Sequence, residues 1–172
     1  FTAGPAIPEA VNRPGLFPVD WDGDGDTDVL GRDFSPQTEV FFLENNGGRF
    51  STSVEFSPVA TNFEDFLVSD LTGNTRADFV IIQEDDKAIA LEQTSLNTFA
   101  PPTLLQEALG TLLHLEIASL DADGRPDFLM GNVSDVVSQV RSEGARDFTS
   151  FETVATTASD EFTSRFMSGD FD

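Results

Sequence analysis

The chain has 172 residues, no cysteine, and a formal net charge of −22 from 31 acidic and nine basic residues. Such a charge repels polyanions, which argues against nucleic acid and anionic membranes and for bound cations or a basic partner. Disulfides are excluded by composition, and no run of about 18 apolar residues is present to cross a membrane. Secretion stays open, because many exported bacterial proteins lack cysteine. No basic start followed by an apolar stretch appears, so any signal peptide is expected to have been removed. The hydrophobic content of 39% allows a core, one rich in Phe, with 17 Phe against one Trp and no Tyr. Lys87 is the sole lysine; this acidic, lysine-poor balance suits both salty surroundings and metal binding.

In chain order, the first predicted element is the apolar run Leu16-Phe17-Pro18-Val19. It leads into the loop DWDGDGDTD (residues 20–28), with five aspartates at alternate positions. Val29-Leu30 follows, then Val40-Phe41-Phe42-Leu43, then the turn NNGGRF (45–50). The same order returns twice. Phe66-Leu67-Val68-Ser69 precedes DLTGNTRAD (70–78), followed by Phe79-Val80-Ile81-Ile82, Ala88-Ile89-Ala90-Leu91 and a turn ending at Phe99. Leu115-Glu116-Ile117-Ala118 precedes SLDADGRPD (119–127), followed by Phe128-Leu129-Met130, Val137-Ser138-Gln139-Val140 and a turn ending at Phe148. The closing aspartates are Asp28, Asp78 and Asp127, spaced by 50 and 49 residues, and Phe1, Phe50, Phe99 and Phe148 fall in register. A fourth loop begins with Asp170 and Asp172.

Short runs rich in Val, Ile, Leu and Phe, bounded by Gly, Asp and Asn, predict strands. Helical periodicity is weak. Its best stretch, Leu104 to Leu115, contains Gly110 and is expected to be an irregular insertion or a short helical turn. The fold class is therefore all-β, built of blades of four antiparallel strands. The repeats run 1–49, 50–98, 99–147 and 148–172, the last incomplete: about three and a half units of ~49 residues. One such sheet cannot bury both its faces, and radial stacking of blades solves that problem.

These units resemble the FG-GAP/VCBS repeat family of calcium-binding β-propellers. DWDGDGDTD and LENNGGRF (43–50) fit its pattern well, SLDADGRPD fits less closely, and DLTGNTRAD is degenerate. The resemblance covers essentially the whole chain and implies a single, partial propeller over residues 1–172, part of a seven-bladed ring in a longer chain. It implies that loop positions one, three, five and nine supply side-chain oxygen, and position seven a backbone carbonyl. The implied calcium ligands are Asp20, Asp22, Asp24 and Asp28 with the Asp26 carbonyl in the first loop. In the second they are Asp70, Thr72, Asn74 and Asp78 with the Arg76 carbonyl, and in the third Ser119, Asp121, Asp123 and Asp127 with the Arg125 carbonyl. Asp170 and Asp172 cannot close a site alone. Carboxylates fall from four to three to two across the first, third and second loops, and affinity is expected to follow.

Other readings compete. An EF-hand also begins with alternating acids, but it needs an acidic twelfth residue, where Gly31 stands, and flanking helices. A catalytic carboxylate pair is conceivable, although carboxylates this crowded suit a cation better. A solvated acidic turn remains open for the second loop. His114, the only histidine, is read as an ordinary strand residue, and no nucleophile elbow or phosphate loop occurs. Asn132-Val133-Ser134 matches a glycosylation acceptor, with chance occurrence the plainer explanation. Phe41, Phe42, Phe50, Phe56, Phe63 and Phe66 are expected to pack between blades rather than form a sugar platform. Trp21 is expected to point away from the cation, over the blade edge or toward a partner.

The expected function is an extracellular, non-enzymatic, calcium-binding module for adhesion to, or recognition of, protein or glycan partners. The alternatives are the propeller portion of a secreted polysaccharide-degrading enzyme, or a structural subunit of an extracellular polymer whose neighbours cover open sheet edges.

Overall fold

A computed structural model describes residues 16–33, 39–51, 54–106, 112–118, 120, 123–132, 136–141 and 150–156. Among them every regular element is a strand. The chain divides into two compact units, Phe1–Asn62 and Phe63–Asp172.

The first unit holds β1 (Leu16–Val19), β2 (Asp28–Asp33), β3 (Glu39–Leu43) and β4 (Val54–Phe56). They form one antiparallel sheet in sequence order. The second unit begins with β5 (Phe63–Ser69), β6 (Asp78–Gln83) and β7 (Ala88–Leu91). A small two-stranded ribbon follows, β8 (Gln93–Ser95) with β9 (Thr98–Phe99), before β10 (Thr103–Gln106) returns to pair with β7. The last sheet is β11 (Leu112–Ala118), β12 (Asp127–Asn132), β13 (Val136–Arg141) and β14 (Ser150–Thr156), again antiparallel and in order. Each sheet is thus a four-stranded meander, as a propeller blade requires.

The sheets are out of phase with the sequence units. Each takes three strands from one unit and its fourth, β4, β10 or β14, from the start of the next. The expected irregular or helical stretch from Leu104 to Leu115 is corrected at both ends. Leu104 pairs with Ile89 in β10, and Leu112 with Asn132 in β11, while residues 107–111 lie outside the described residues. Its apolar residues found partners on neighbouring strands, and local helical propensity yields to that pairing.

In the second unit β5 and β11 run beside each other. Val80, Ile82, Ala88, Ala90 and Leu105 of one sheet meet Leu115, Phe128, Met130 and Val140 of the other in a single apolar cluster. The opposite face of β6 is buried too. There Phe79 lies edge-on to Phe66 at 5.4 Å, Phe66 to Phe63 at 5.9 Å, and Phe99 tilts against Phe79 at 5.7 Å. Burial on both faces explains why β6 reads as a continuous apolar run rather than an alternation. Phe41, Phe42, Phe63 and Phe66 are all buried, in keeping with packing rather than sugar binding, whereas Phe50 is 41% exposed.

Turn chemistry fits the hairpins. Between β6 and β7, Asp86 N donates to Gln83 O and Gln83 N to Lys87 O, and Asp86 takes φ +61°. That is a type I turn closed by a left-handed residue, which Asp tolerates better than most.

One strand pair in the first unit depends on the absence of a side chain. Gly31 stands opposite Phe41, where the later sheet has Ile81 opposite Ile89. A Cβ on Gly31 would lie 2.1 Å from Phe41 Cζ, and the ring is 99% buried, 1% being exposed. Gly31→Ala is therefore expected to lower stability by about 1–3 kcal/mol, the range for overpacking. Urea unfolding against the parent chain measures it; an unchanged midpoint contradicts this packing account.

Candidate metal centre

The three acidic loops join the first two strands of each sheet. The first runs from the end of β1 to the start of β2. Gly23 and Gly25 take φ of +83° and +92°, which reverses the chain twice and lets alternate side chains face the same space. The carboxylates then accept backbone N–H groups of their own loop. Asp20 Oδ1 accepts from Gly23 N at 2.9 Å and Oδ2 from Gly25 N at 3.1 Å. Asp22 Oδ1 accepts from Asp24 N at 3.1 Å, and Asp24 Oδ1 from Asp26 N at 2.8 Å.

Carboxylate oxygens of Asp20, Asp22 and Asp28 lie within 4.8 Å of one another, the one such acidic grouping among the described residues. Each carboxylate oxygen has a second lone pair beyond the one an amide takes, so the trio keeps acceptor capacity for a hard cation. Asp24 is outside this grouping and exposed. Burial raises the Asp22 carboxyl above its ordinary range, and repulsion from Asp28, Asp24 and Glu44 adds to the rise. A cation there would relieve that repulsion.

The closing aspartates have a second role that the spacing alone did not reveal. Asp28, Asp78 and Asp127 are each 0% exposed. Asp28 Oδ2 accepts from Trp21 N at 2.9 Å and Oδ1 from Asn45 N at 2.8 Å. Asp78 Oδ2 accepts from Leu71 N at 2.9 Å and Oδ1 from Gln93 N at 2.8 Å. Asp127 Oδ2 accepts from Leu120 N at 2.7 Å. In the first two sheets one carboxylate therefore joins the loop to the chain leaving the third strand. Its partners Asn45 and Gln93 are site residues that the loop spacing did not reveal, although Asn45 belongs to the LENNGGRF stretch.

Asn45 extends this network. Its Nδ2 donates to Thr27 O at 2.9 Å, and its Oδ1 accepts from Gly48 N at 2.8 Å. Gln93 does not reproduce this. Its side chain is 1% exposed, with neither Nε2 nor Oε1 hydrogen-bonded. Asp26 Oδ2 accepts from Gly47 N at 2.9 Å and ties the loop to the hairpin. Trp21 is 1% exposed and stacks on Phe56 at 5.7 Å. Its ring is a core group of its own unit, so the expectation that it faces a partner is corrected.

The second loop keeps the shape with fewer oxygens. Asp70 Oδ1 accepts from Gly73 N at 2.8 Å and Asn74 N at 3.1 Å, and Oδ2 from Thr75 N at 2.7 Å. Asn74 Oδ1 accepts from Arg76 N at 2.8 Å, and Thr72 Oγ1 lies 3.5 Å from Asp78 Oδ2. Arg76 is exposed. In the third loop Asp123 Oδ1 accepts from Arg125 N at 2.8 Å, and Arg125 Nη1 lies 3.4 Å from Asp123 Oδ2. Ser119, Asp121, Asp170 and Asp172 lie outside the described residues, as does the His114 side chain. Asn132 is described and only 4% exposed, in β12, which favours chance over glycosylation for its motif.

The sequence model of a family described as FG-GAP-like repeat matches residues 20–107, just over half of the chain. No curated protein gives a significant match.

Two consequences are measurable. Thr75 holds φ +67° at the loop position where the first and third loops place Gly25 and Gly124. A β-branched residue is strained there, so Thr75→Gly is expected to stabilise the chain by about 1 kcal/mol in urea unfolding; a loss of stability contradicts it. Burial, with repulsion from Asp70 and Glu92, raises the Asp78 carboxyl from 3.8 to about 6. Its folded form holds a proton that the unfolded form has released, so its contribution is complete below about pH 4 and lost as pH rises through about 6. In EDTA, stability is expected to fall between those values, and Asp78→Asn to flatten that slope.

Proposed function

Because the chain belongs to the FG-GAP-like repeat family, we propose that it is an extracellular, calcium-stabilised propeller module that recognises a protein or glycan partner and performs no catalysis. The observation that carries this reading is the convergence of Asp20, Asp22 and Asp28 in the first loop. Their oxygens are the hard donors that calcium prefers, and calcium tolerates the irregular shell that a short loop offers. Asp24 and the Asp26 carbonyl are the further ligands the family pattern assigns. A calcium ion would supply positive charge where Asp22 and Asp28 repel one another, and so fix the turn between β1 and β2. The second loop, with two carboxylates among its five assigned positions, would bind weakly or not at all.

Propellers bind partners through the loops at their ends, where sequence varies without disturbing the strands. The acidity of the chain favours a partner with basic patches or one bridged by the cation. Extracellular placement rests on the family and on the abundance of free calcium outside cells. Among the described residues no helix is long and apolar enough to cross a membrane.

Thermal melting in EDTA and in millimolar calcium tests the metal. Calcium at about a hundred times its dissociation constant should add about 2.7 kcal/mol, seen as a rise in the midpoint. Asp22→Asn should reduce the rise, and an identical midpoint in both buffers refutes the reading. A glycan array probed in calcium and again in EDTA tests recognition, the expected signal being a restricted set of glycans lost on chelation.

A further inference from the structure

We propose that Asn46 is a site of spontaneous covalent modification, deamidation through a cyclic imide, and that the Asp26 carboxylate restrains it. Asn46-Gly47 is the sole Asn-Gly step in the chain. Both residues are exposed, and Gly47 takes φ +58° with open space where a Cβ would stand. A following residue with no side chain leaves its backbone nitrogen unshielded.

In the reaction the Gly47 nitrogen loses its proton to solvent and attacks Asn46 Cγ. The new C–N bond closes a five-membered imide, the Cγ–Nδ2 bond breaks, and ammonia leaves with the transferred proton. Water then opens the ring to aspartate or isoaspartate. The net change is one water consumed and one ammonia released.

The structure holds both ends of that step. Gly47 N donates to Asp26 Oδ2 at 2.9 Å, and Asn46 Nδ2 donates to Glu44 Oε1 at 2.9 Å. An amide bound to a carboxylate gives up its proton less readily. Asp26 can do this because its side chain is not among the oxygens assigned to the cation. The corresponding residues of the other loops, Arg76 and Arg125, carry no acceptor.

The product matters to its surroundings. It adds a negative charge beside Glu44 and Asp26. In the isoaspartyl form it adds a backbone atom to a hairpin closed by the Asn45–Phe50 bridge and by Asn46 N on Arg49 O at 2.8 Å. Asn45 N is also a donor to Asp28, so the damage would reach the acidic centre.

The test is ageing at mildly alkaline pH in constant calcium, followed by intact mass and peptide mapping. Folded parent chain should deamidate at Asn46 more slowly than the same chain in denaturing urea. Asp26→Ala should accelerate it about tenfold. Asp26→Asn, whose Oδ1 still accepts but carries no charge, should fall between the parent and Asp26→Ala, and Asn46→Gln should abolish the mass gain. Equal rates in parent and folded Asp26→Ala, or in folded and urea-treated parent, overturn the proposal. Should Asp26→Ala unfold, amide exchange at Gly47 in the parent decides: slow exchange supports the restraint, and exchange at the unstructured rate overturns it.

Discussion

A buried carboxylate sits at the start of β2, β6 and β12, and the geometry around it depends on that one group. A carboxylate withdrawn from water is costly unless its oxygens find donors. Here each finds the N–H of the second loop residue, and in the first two sheets a second N–H from the chain just beyond the third strand. The loop therefore cannot shift while the carboxylate stays buried without leaving it short of a donor, and the chain beyond the third strand cannot slip without losing a bond. This fixes the positions of Asp20 and Asp22 before any cation arrives. The second sheet shows the two roles separately: Asp78 keeps both bonds although its loop retains few metal-type oxygens.

That separation accounts for the uneven decay of the loops. The backbone path is preserved where the ligands are not, at the expense of a left-handed Thr75 and of a Gln93 amide buried without partners. The second turn is held mainly by Asp70, which accepts three N–H groups, with Asn74 and Asp78 accepting one more each from within the loop. The first loop distributes the same work over Asp20, Asp22, Asp24 and Asp26.

Much of the architecture was legible in the sequence because it rests on period and punctuation. The apolar runs beginning at Leu16, Phe79, Ala88 and Phe128 became strands because they alternate with glycine and aspartate turns at a fixed interval. The strand at Leu104 was not legible because its partner, Ile89, lies fifteen residues earlier, across the β8–β9 ribbon. The Gly31–Phe41 complementarity was hidden for the same reason: cross-strand partners are set by register, which no single run displays. The buried role of Asp28 was masked by its plausible second role as a ligand, since the spacing that makes a metal loop also makes a staple. Trp21 was half legible. Its even-numbered loop position turned it from the acids, but only the fold supplied Phe56 to receive it.

The offset between sheet and sequence unit has a further consequence for how such a protein can grow. A unit that donates its opening segment backward and borrows one forward is interlocked with both neighbours. Duplicating or deleting one whole unit leaves every remaining sheet with four strands, because the donor and the borrower change together. Cutting at a unit border, by contrast, strips the preceding sheet of its outer strand. Gene duplication and proteolytic dissection therefore obey different boundaries in this chain: the border of a sequence unit falls inside a sheet, whereas the cut that keeps the sheets whole and parts the two compact units lies between β4 and β5.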